Sequence, residues 1–346
     1  MLASAKKLGS ASSVNAAKSP KTPSWEDIVR PAEPFLDQVS QQLRQQIAAF
    51  DPGIETYAEY ALTGQGKQLR PLLVALSANA AGKANGDHVN VAVIIEMVHL
   101  ATLVHDDVMD EADIRRGRRT LAANWGNEIA VLLGDCLFAH ALKLAASFPT
   151  PEVCRAVSSA TNIVCSGEIL QTRARGDFGL KLEDYFKMLD MKTAELFALS
   201  CDLGAYLSGA TPVQRQTLRE FGMALGTAYQ MYDDCVDILG AESKVGKSLG
   251  TDLVKGKLTL PVLLLRDKAS PSERDQLEAL VKDWQPDNME MLRKLLASHG
   301  IITDSLAAMG QHLERARALA ASLPDGAPEL IWLTTYLAKQ TEAVCS

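Results

Sequence analysis

Residues 91–110 read VAVIIEMVHLATLVHDDVMD, an apolar run that ends in three aspartates. Apolar side chains recur along this run with the period of an α-helix. At 100° per residue, Asp106 and Asp110 point within about 40° of each other, so two carboxylates lie on one face, one turn apart. The run therefore predicts a largely buried helix whose carboxyl-terminal end presents acidic side chains.

A second acidic cluster has the same spacing. Residues 232–237 read YDDCVD and follow the apolar stretch 222–231. Like charges one helical turn apart repel each other, so cations should balance both clusters. One D-D-x-x-D could be a solvated helix end, but two clusters that each follow apolar segments favour a metal site. Carboxylates at this spacing suit Mg²⁺, a hard cation that often shares its ligands with substrate phosphates.

From Trp25 onward, the sequence has helical periodicity almost throughout, with no convincing alternating strand. Helices are predicted at 35–49, 68–81, 88–113, 126–147, 151–174, 182–208, 212–240, 257–268, 272–282, 287–299, 303–322 and 327–343. Thr211 before Pro212 has the pattern of an N-cap followed by proline at the first helical position. We expect an all-α fold: one domain of ten or more helices over residues 25–346, preceded by a disordered tail, residues 1–24.

Composition excludes several classes of protein. The 346 residues are 47% hydrophobic, 22% charged and 5% aromatic, with a formal net charge of −7, which is not the profile of a disordered, collagen-like or disulfide-rich chain. The net negative charge argues against broad nucleic-acid binding. The six cysteines form no C-x-x-C pair, which favours buried free thiols in a reducing compartment over a zinc site. No uninterrupted apolar run reaches about 18 residues, so no membrane span is expected.

Basic residues lie close to the acidic clusters in the sequence. The segment 115–119, RRGRR, follows the first cluster, and single lysines and arginines occur at helix starts and glycine-rich turns. A basic run at a helix end can be a solvated face, but beside an acidic cluster a diphosphate clamp is favoured. No G-x-x-x-x-G-K-[ST] loop is present, so nucleotide hydrolysis is not supported.

Together these motifs resemble those of the trans-polyprenyl diphosphate synthase family. The segments that carry the resemblance are 66–71 (GKQLRP), 96–99 (EMVH), 103–117, 134–135, 167–168, 192–193, 230–237, 246–252 and 256–261. The resemblance covers roughly residues 30–340, and residues 106–117 look most like those of medium- and long-chain members such as octaprenyl diphosphate synthases. It implies a helical bundle around a deep apolar cavity, usually a homodimer, that works in the cytoplasm.

The resemblance also implies roles for particular residues. Three Mg²⁺ ions would be held by Asp106, Asp110 and Asp233, with further ligands, direct or through water, from Asp107, Asp234 and Asp237. The allylic diphosphate would be contacted by Arg115, Lys192 and Lys257, with Lys247 nearby. The diphosphate of isopentenyl diphosphate would be held by Lys67, Arg70, His99 and Arg116. Thr193 and Gln230 would line the reacting centre. The helical wheel independently places His99 within about 20° of Asp106.

The implied reaction is head-to-tail condensation of isopentenyl diphosphate with an allylic prenyl diphosphate. Three alternatives remain open. A shorter-chain farnesyl or geranylgeranyl diphosphate synthase would share every motif. A class I terpene cyclase would carry an Asn/Ser/Glu metal motif in place of the second D-D-x-x-D, and a non-catalytic regulatory subunit would usually lack one cluster. Both clusters are complete in this chain, which argues against the last two.

Product length is expected to depend on residues just upstream of the first cluster. In the family, a bulky aromatic there blocks the tunnel and gives short products, whereas Ala101 and Thr102 are small. The wheel places Thr102 within about 80° of Asp106 but Ala101 about 140° away, so a tunnel role for Ala101 depends on the resemblance. We expect products beyond C20, with a floor formed by Phe138 or Leu142 on the next helix.

Overall fold

The computed structural model describes residues 23–63, 66–240 and 249–345. Within them the protein is built of α-helices, and its one sheet is a hairpin of two-residue strands, which confirms the all-α prediction. Most of the predicted tail and Lys247 lie outside the described residues. The division into a tail and one domain stays a prediction, although the first helix begins at Trp25, behind the N-cap Ser24.

The elements before the middle of the chain include the first acidic cluster. They are α1 (Trp25–Val29), α2 (Glu33–Ile47), α3 (Pro52–Leu62), α4 (Leu69–Ala81), α5 (Gly86–Met109), β1 (Ile114–Arg115), β2 (Arg118–Arg119), α6 (Leu121–Trp125), α7 (Asn127–Ala146) and α8 (Pro151–Arg173). A single turn of 3₁₀ helix, Arg30–Ala32, joins α1 to α2.

The remaining elements include the second cluster. They are α9 (Leu182–Leu189), a π-helical turn (Asp190–Ala194), α10 (Glu195–Leu207), α11 (Pro212–Leu239), α12 (Thr251–Val254), α13 (Leu260–Lys268), α14 (Pro271–Lys282), a 3₁₀ turn (Pro286–Asn288), α15 (Met289–Ser298), α16 (Ile301–Ala321) and α17 (Pro328–Cys345). Thr211 accepts from the backbone of Gln214 and Pro212 begins α11, so the predicted cap is confirmed.

Helix α5 lies at the centre of the molecule. It packs against α2, α4, α7 and α10, and α10 in turn packs against α11. Every side chain of α5 from Val91 to Val98 is buried, including the carboxylate of Glu96. Aliphatic side chains and alanine fill this core, as the low aromatic content predicts. Central burial of α5 places its acidic end against the helices that carry the other site residues.

The predicted helices missed α3 (Pro52–Leu62), and two further differences from the prediction shape the site. Helix α5 was expected to reach residue 113 but ends at Met109, because Glu111 takes a left-handed φ of 48°. The predicted helix 182–208 is interrupted at residues 190–194 by the π-helical turn. Periodicity alone cannot resolve either feature, since a single left-handed residue or one wide turn hardly disturbs it.

The cysteine and membrane predictions hold only in part. Cys201 and Cys235 are buried free thiols, but Cys165 is exposed, so burial was wrongly predicted there.

By length and averaged composition, α5 and α7 could cross a membrane, because this test tolerates the isolated polar residues that break an uninterrupted run. Core helices of globular proteins pass the same test, and 67% of the apolar window of α5 is buried, against 33% in α7.

Glycines allow α11 to pack closely against the π-helical turn and α10. A Cβ at Gly226 would lie 2.6 Å from the Cα of Ala194, and one at Gly222 would lie 2.6 Å from the carbonyl oxygen of Phe197. Backbone atoms cannot move aside as a flexible side chain can, so this approach requires glycine.

Gly226→Ala is therefore expected to destabilise the protein by about 1–3 kcal/mol, because the added methyl group overpacks this contact. Gly310→Ala is the matched control, since a Cβ at Gly310 meets nothing within 4 Å in the middle of α16. Higher helix propensity should stabilise that variant by up to about 1 kcal/mol. Urea denaturation measures both changes, and a Gly226→Ala midpoint at or above that of wild type would contradict the packing argument.

Candidate active site

Each aspartate of the first cluster pairs with a different cation. The Asp106 carboxylate lies 3.7 Å from Nζ of Lys192. Asp107 is buried and accepts from Nε of Arg115 at 2.7 Å, and Asp110 accepts from Nζ of Lys257 at 2.7 Å. The like-charge repulsion expected from the sequence is thus offset by cations that come from other parts of the chain.

Burial and these cations act in opposite directions on the aspartates. Burial raises the pKa of Asp106, although the charge of Lys192 opposes that change. Burial also acts to raise the pKa of Asp110, but the hydrogen bond and charge of Lys257, together with the charges of Lys192 and Arg175, outweigh it, and the pKa is lowered. Asp110 is therefore a carboxylate at neutral pH, which is the form that binds a metal ion.

The second cluster lies in α11, and Asp234 and Asp237 are its buried members. Asp234 is buried and accepts from the hydroxyl of Tyr185 at 2.6 Å and from the Gln230 amide at 2.8 Å. Asp237 is buried and accepts from the hydroxyl of Thr251 at 2.9 Å and from the backbone N–H of residue 252 at 3.1 Å. Asp233 is the member of the cluster that keeps exposed surface.

Two lysines connect the clusters. The backbone N–H of Lys257 donates to the carbonyl of Asp252, and the N–H of Asp252 donates in turn to the carboxylate of Asp237. The Lys257 side chain donates to Asp110, so this lysine contacts both clusters. Lys192 lies beside Asp106, and its neighbour Thr193 donates to Gln230 at 2.8 Å, one turn before Asp233. The end of α5 therefore faces α11 across a single site.

The carboxylates fit a hard cation that takes additional ligands from a substrate. Burial, together with neighbouring negative charge, raises the pKa of Asp234 to about 6 and that of Asp252 to about 8, so a cation bound nearby would favour the ionised form of both side chains. In the described ranges, however, no three Asp, Glu, His or Cys side chains converge as a complete metal site. Oxygen ligands and an incomplete set suit Mg²⁺ bound together with phosphates.

A second, cationic pocket lies about two to three turns before Asp106 on the side of α4. Arg70 and Arg116 both act electrostatically on His99 and Glu96. Burial and these arginines hold the pKa of His99 well below its usual range, so the imidazole is neutral and can donate a hydrogen bond without adding charge. A Cβ at Gly66 would lie 2.8 Å from the Arg116 guanidinium, so glycine makes room for it.

The hairpin between α5 and α6 places Arg115 at the first acidic cluster and Arg116 in the cationic pocket. Arg116 and Gly117, its two turn residues, have φ of 51° and 74°, as a type I′ turn requires. Arg115 bonds Asp107 in the first cluster, whereas Arg116 lies against Gly66 in the cationic pocket. The R-R-G-R pattern carries the turn signal, although the sequence analysis did not identify the hairpin.

The Lys67 side chain lies against two aromatic rings. It is exposed, and its Nζ lies 5.3 Å from the ring centre of Trp25 and 5.5 Å from that of Tyr336. Ala101 is completely buried in the core, and Thr102 keeps partial exposure and donates to the carbonyl of His99. The Phe138 ring lies 5.7 Å from that of His105, at the α5–α7 contact.

Several residues at the site were not assigned roles from the sequence. Glu168 forms an ion pair with Lys192, and Gln171, one turn later on α8, accepts from the same lysine at 2.9 Å. Arg175 donates to Asp110 at 2.8 Å, and Tyr185 holds Asp234. The i, i+3 spacing of Glu168 and Gln171 could have indicated a shared face, but no local pattern points to Arg175 or Tyr185.

Comparisons with known proteins agree with this geometry. The family model described as Polyprenyl synthetase matches residues 51–298. The octaprenyl diphosphate synthase of Escherichia coli is 33% identical over 267 residues, which cover 77% of this chain and 83% of that protein.

Two solved structures share the fold at 31% identity. A decaprenyl diphosphate synthase from Rhodobacter capsulatus matches with a TM-score of 0.86 over 91% of this chain and 99% of that one. A polyprenyl synthase from Caulobacter crescentus, complexed with calcium and isoprenyl diphosphate, matches with a TM-score of 0.86 over 92% and 99%. With a family match over most of its length and the paired aspartate clusters facing one another, this chain belongs to the polyprenyl synthetase family.

Proposed function

We propose that this protein condenses isopentenyl diphosphate with an allylic prenyl diphosphate, head to tail, to give a linear all-trans polyprenyl diphosphate. The observation that carries the proposal is the pair of lysines that join the two acidic clusters, Lys192 at Asp106 and Lys257 at Asp110. A site that combines several carboxylates with close lysines suits a metal-bound diphosphate, because the carboxylates bind the metal and the lysines contact the phosphate oxygens.

The allylic diphosphate is the leaving group of the reaction. Lys192, Lys257 and Arg115 neutralise the charge that develops on it as the allylic C–O bond breaks. Mg²⁺, with three ions proposed, supplies further positive charge when held by Asp106, Asp110 and Asp233. Lys247, which lies outside the described residues, is proposed to assist. Thr193 and Gln230 line the reacting centre, and the departing diphosphate accepts the proton that is lost after bond formation.

Isopentenyl diphosphate is assigned to the cationic pocket. Arg70 and Arg116 supply its charge, and neutral His99 supplies a hydrogen-bond donor. Lys67 is included in this site because its position in the 66–71 motif adjoins the glycine that packs on Arg116. In the structure its Nζ lies over the rings of Trp25 and Tyr336.

Replacing Arg70 is expected to raise the Michaelis constant for isopentenyl diphosphate more than that for the allylic substrate. Arg70→Gln should raise the first about tenfold or more, since it removes a charged hydrogen-bond donor from a buried pocket. Arg116→Gln tests the same pocket from an exposed position, and exposed Arg44 on α2 gives the control Arg44→Gln. Steady-state kinetics with each substrate varied in turn measures both Michaelis constants. An equal rise in the two would refute the assignment of this pocket to isopentenyl diphosphate.

The product is proposed to be longer than C20. No aromatic side chain occurs between residues 91 and 104, and the similar proteins reported above include an octaprenyl and a decaprenyl diphosphate synthase. A growing apolar chain would extend from Asp106 along α5 past Thr102. A farnesyl or geranylgeranyl product is the alternative.

A single incubation tests both the proposed activity and the chain length of the product. Purified protein, Mg²⁺, farnesyl diphosphate and labelled isopentenyl diphosphate should yield linear polyprenyl diphosphates, which are dephosphorylated and separated against chain-length standards. Products that stop at C15 or C20 would support the short-chain alternative. A cyclic hydrocarbon would indicate a terpene cyclase, and no product with any allylic primer would indicate a non-catalytic subunit.

We also propose that the protein is a cytoplasmic homodimer. Val131 and Leu132 on α7 and Ile169 on α8 are large apolar side chains that are 40–61% exposed in the single chain. Helices α7 and α8 contact each other, and we propose that a second copy of the chain covers these side chains. Light scattering after gel filtration measures the mass directly, and Leu132→Glu should convert a dimer to the monomer.

A further inference from the structure

Arg175 lies at the first acidic cluster, just beyond the end of α8. Its Nη2 donates to Oδ1 of Asp110 at 2.8 Å, and its Nη1 lies 3.4 Å from the carbonyl oxygen of Met109. Its Nε is buried and has no hydrogen-bond partner among the described residues. A guanidinium has five N–H donors, so this one holds a carboxylate while part of its donor capacity is unused.

The backbone fixes the position of this arginine relative to Lys257. The N–H of Gly176 donates to the carbonyl of Gly256 at 2.7 Å, which joins the turn after α8 to the turn that carries Lys257. On the preceding helix, Glu168 and Gln171 both contact Lys192. Arg175 therefore follows the helix that contacts Lys192 and adjoins the turn that carries Lys257, the two lysines assigned to the diphosphate.

Asp110 consequently has a cation on each of its oxygens. Lys257 bonds Oδ2 and Arg175 bonds Oδ1. If Asp110 held a metal ion through one oxygen, the cation bonded to that oxygen would lose its partner, and both cations would be repelled by the added positive charge. The released side chain then lies close to the anion that arrives with the metal, and a guanidinium can bind phosphate oxygens through two parallel N–H groups.

We propose that Arg175 is an additional diphosphate-binding residue. Its guanidinium hydrogen-bonds to Asp110 in the substrate-free protein and would bind the allylic diphosphate instead when Asp110 holds a metal ion. This inference rests on the proposed function, since it takes the diphosphate site from there. It adds to that site a cation that none of the recognised motifs contains.

Inorganic pyrophosphate with saturating Mg²⁺ is the probe, and titration calorimetry on the full-length protein is the measurement. Arg175→Gln should weaken pyrophosphate binding about tenfold and raise the Michaelis constant for the allylic substrate to a similar extent. Arg175→Lys should restore part of the binding, because it keeps the charge but not the planar fork. The Michaelis constant for isopentenyl diphosphate should stay within about twofold of wild type.

Arg173→Gln is the matched control, because Arg173 is an exposed arginine two residues earlier whose loss changes the net charge equally. Pyrophosphate affinity in Arg175→Gln equal to that of Arg173→Gln, in proteins with unchanged melting curves, would overturn the inference. Equal effects on both substrates would also overturn it, since that result is expected of a general structural role. Wild-type protein that binds pyrophosphate but forms no prenyl product would instead overturn the proposed function and leave the Arg175 comparison intact.

Discussion

Asp106→Asn is expected to lower kcat by about three orders of magnitude or more, because it removes a charged metal ligand and with it several kcal/mol of transition-state stabilisation. The amide has nearly the same shape as the carboxylate, and Lys192 keeps its ion pair with Glu168. The fold should therefore survive, which circular dichroism and thermal melting can verify. The rate is measured with both substrates and Mg²⁺ saturating.

Asp233→Asn should have an effect of similar size, since Asp233 is the half-buried carboxylate of the second cluster, whereas Asp234 and Asp237 are buried. Asp113→Asn is the control: its exposed side chain lies in the same acidic segment as Asp106 but outside the proposed ligand set. That variant should keep a rate within about twofold of wild type. Turnover close to wild type in both Asp106→Asn and Asp233→Asn would disprove the assignment of the two clusters to the metal.

Ala101→Phe is expected to shorten the product while the first condensation stays active, because it changes the space for the growing chain and not the metal site. The structure adds a second variant. Ala101 is completely buried, so a phenylalanine there also overpacks the core by about 1–3 kcal/mol, whereas Thr102 keeps partial exposure on the side of His99. Thr102→Phe tests the tunnel with less strain on the fold.

Product length is measured by chromatography of the dephosphorylated products, and Thr102→Ser serves as a conservative control. If the tunnel follows α5, both phenylalanine variants should give products several isoprene units shorter than wild type. An unchanged product distribution in folded Ala101→Phe and Thr102→Phe proteins would show that the chain grows along another path. A wild-type product that ends at C15 would contradict the expected length itself.

Residues close together in the chain made much of this protein predictable. Helical periodicity identified α5 and α11, and the four-residue spacing within each D-D-x-x-D placed two carboxylates on one face of each segment. The Thr211–Pro212 cap was predictable because its hydrogen bonds join residues three positions apart. Motifs of the same local kind were sufficient for the family resemblance, which the comparisons confirm.

The end of α5 was beyond such reasoning. The helix stops at Met109, so Asp110 lies at its cap and not within it. The cause is a left-handed residue at Glu111 and a hairpin that must carry Arg115 back to Asp107. Periodicity describes the interior of a helix, whereas its end depends on which hydrogen bonds the following residues find elsewhere.

The sequence by itself determined the two helices that carry the acidic clusters, the positions of the aspartates along them and the family. The tertiary structure alone decided which cation meets which carboxylate: Lys257 bonds Asp110 across 147 residues, and Arg175 reaches its other oxygen across 65. The physical reason is range. Helical propensity and capping depend on neighbours within one or two turns, while an ion pair between distant segments depends on how whole helices pack, and packing follows from the complete set of apolar surfaces.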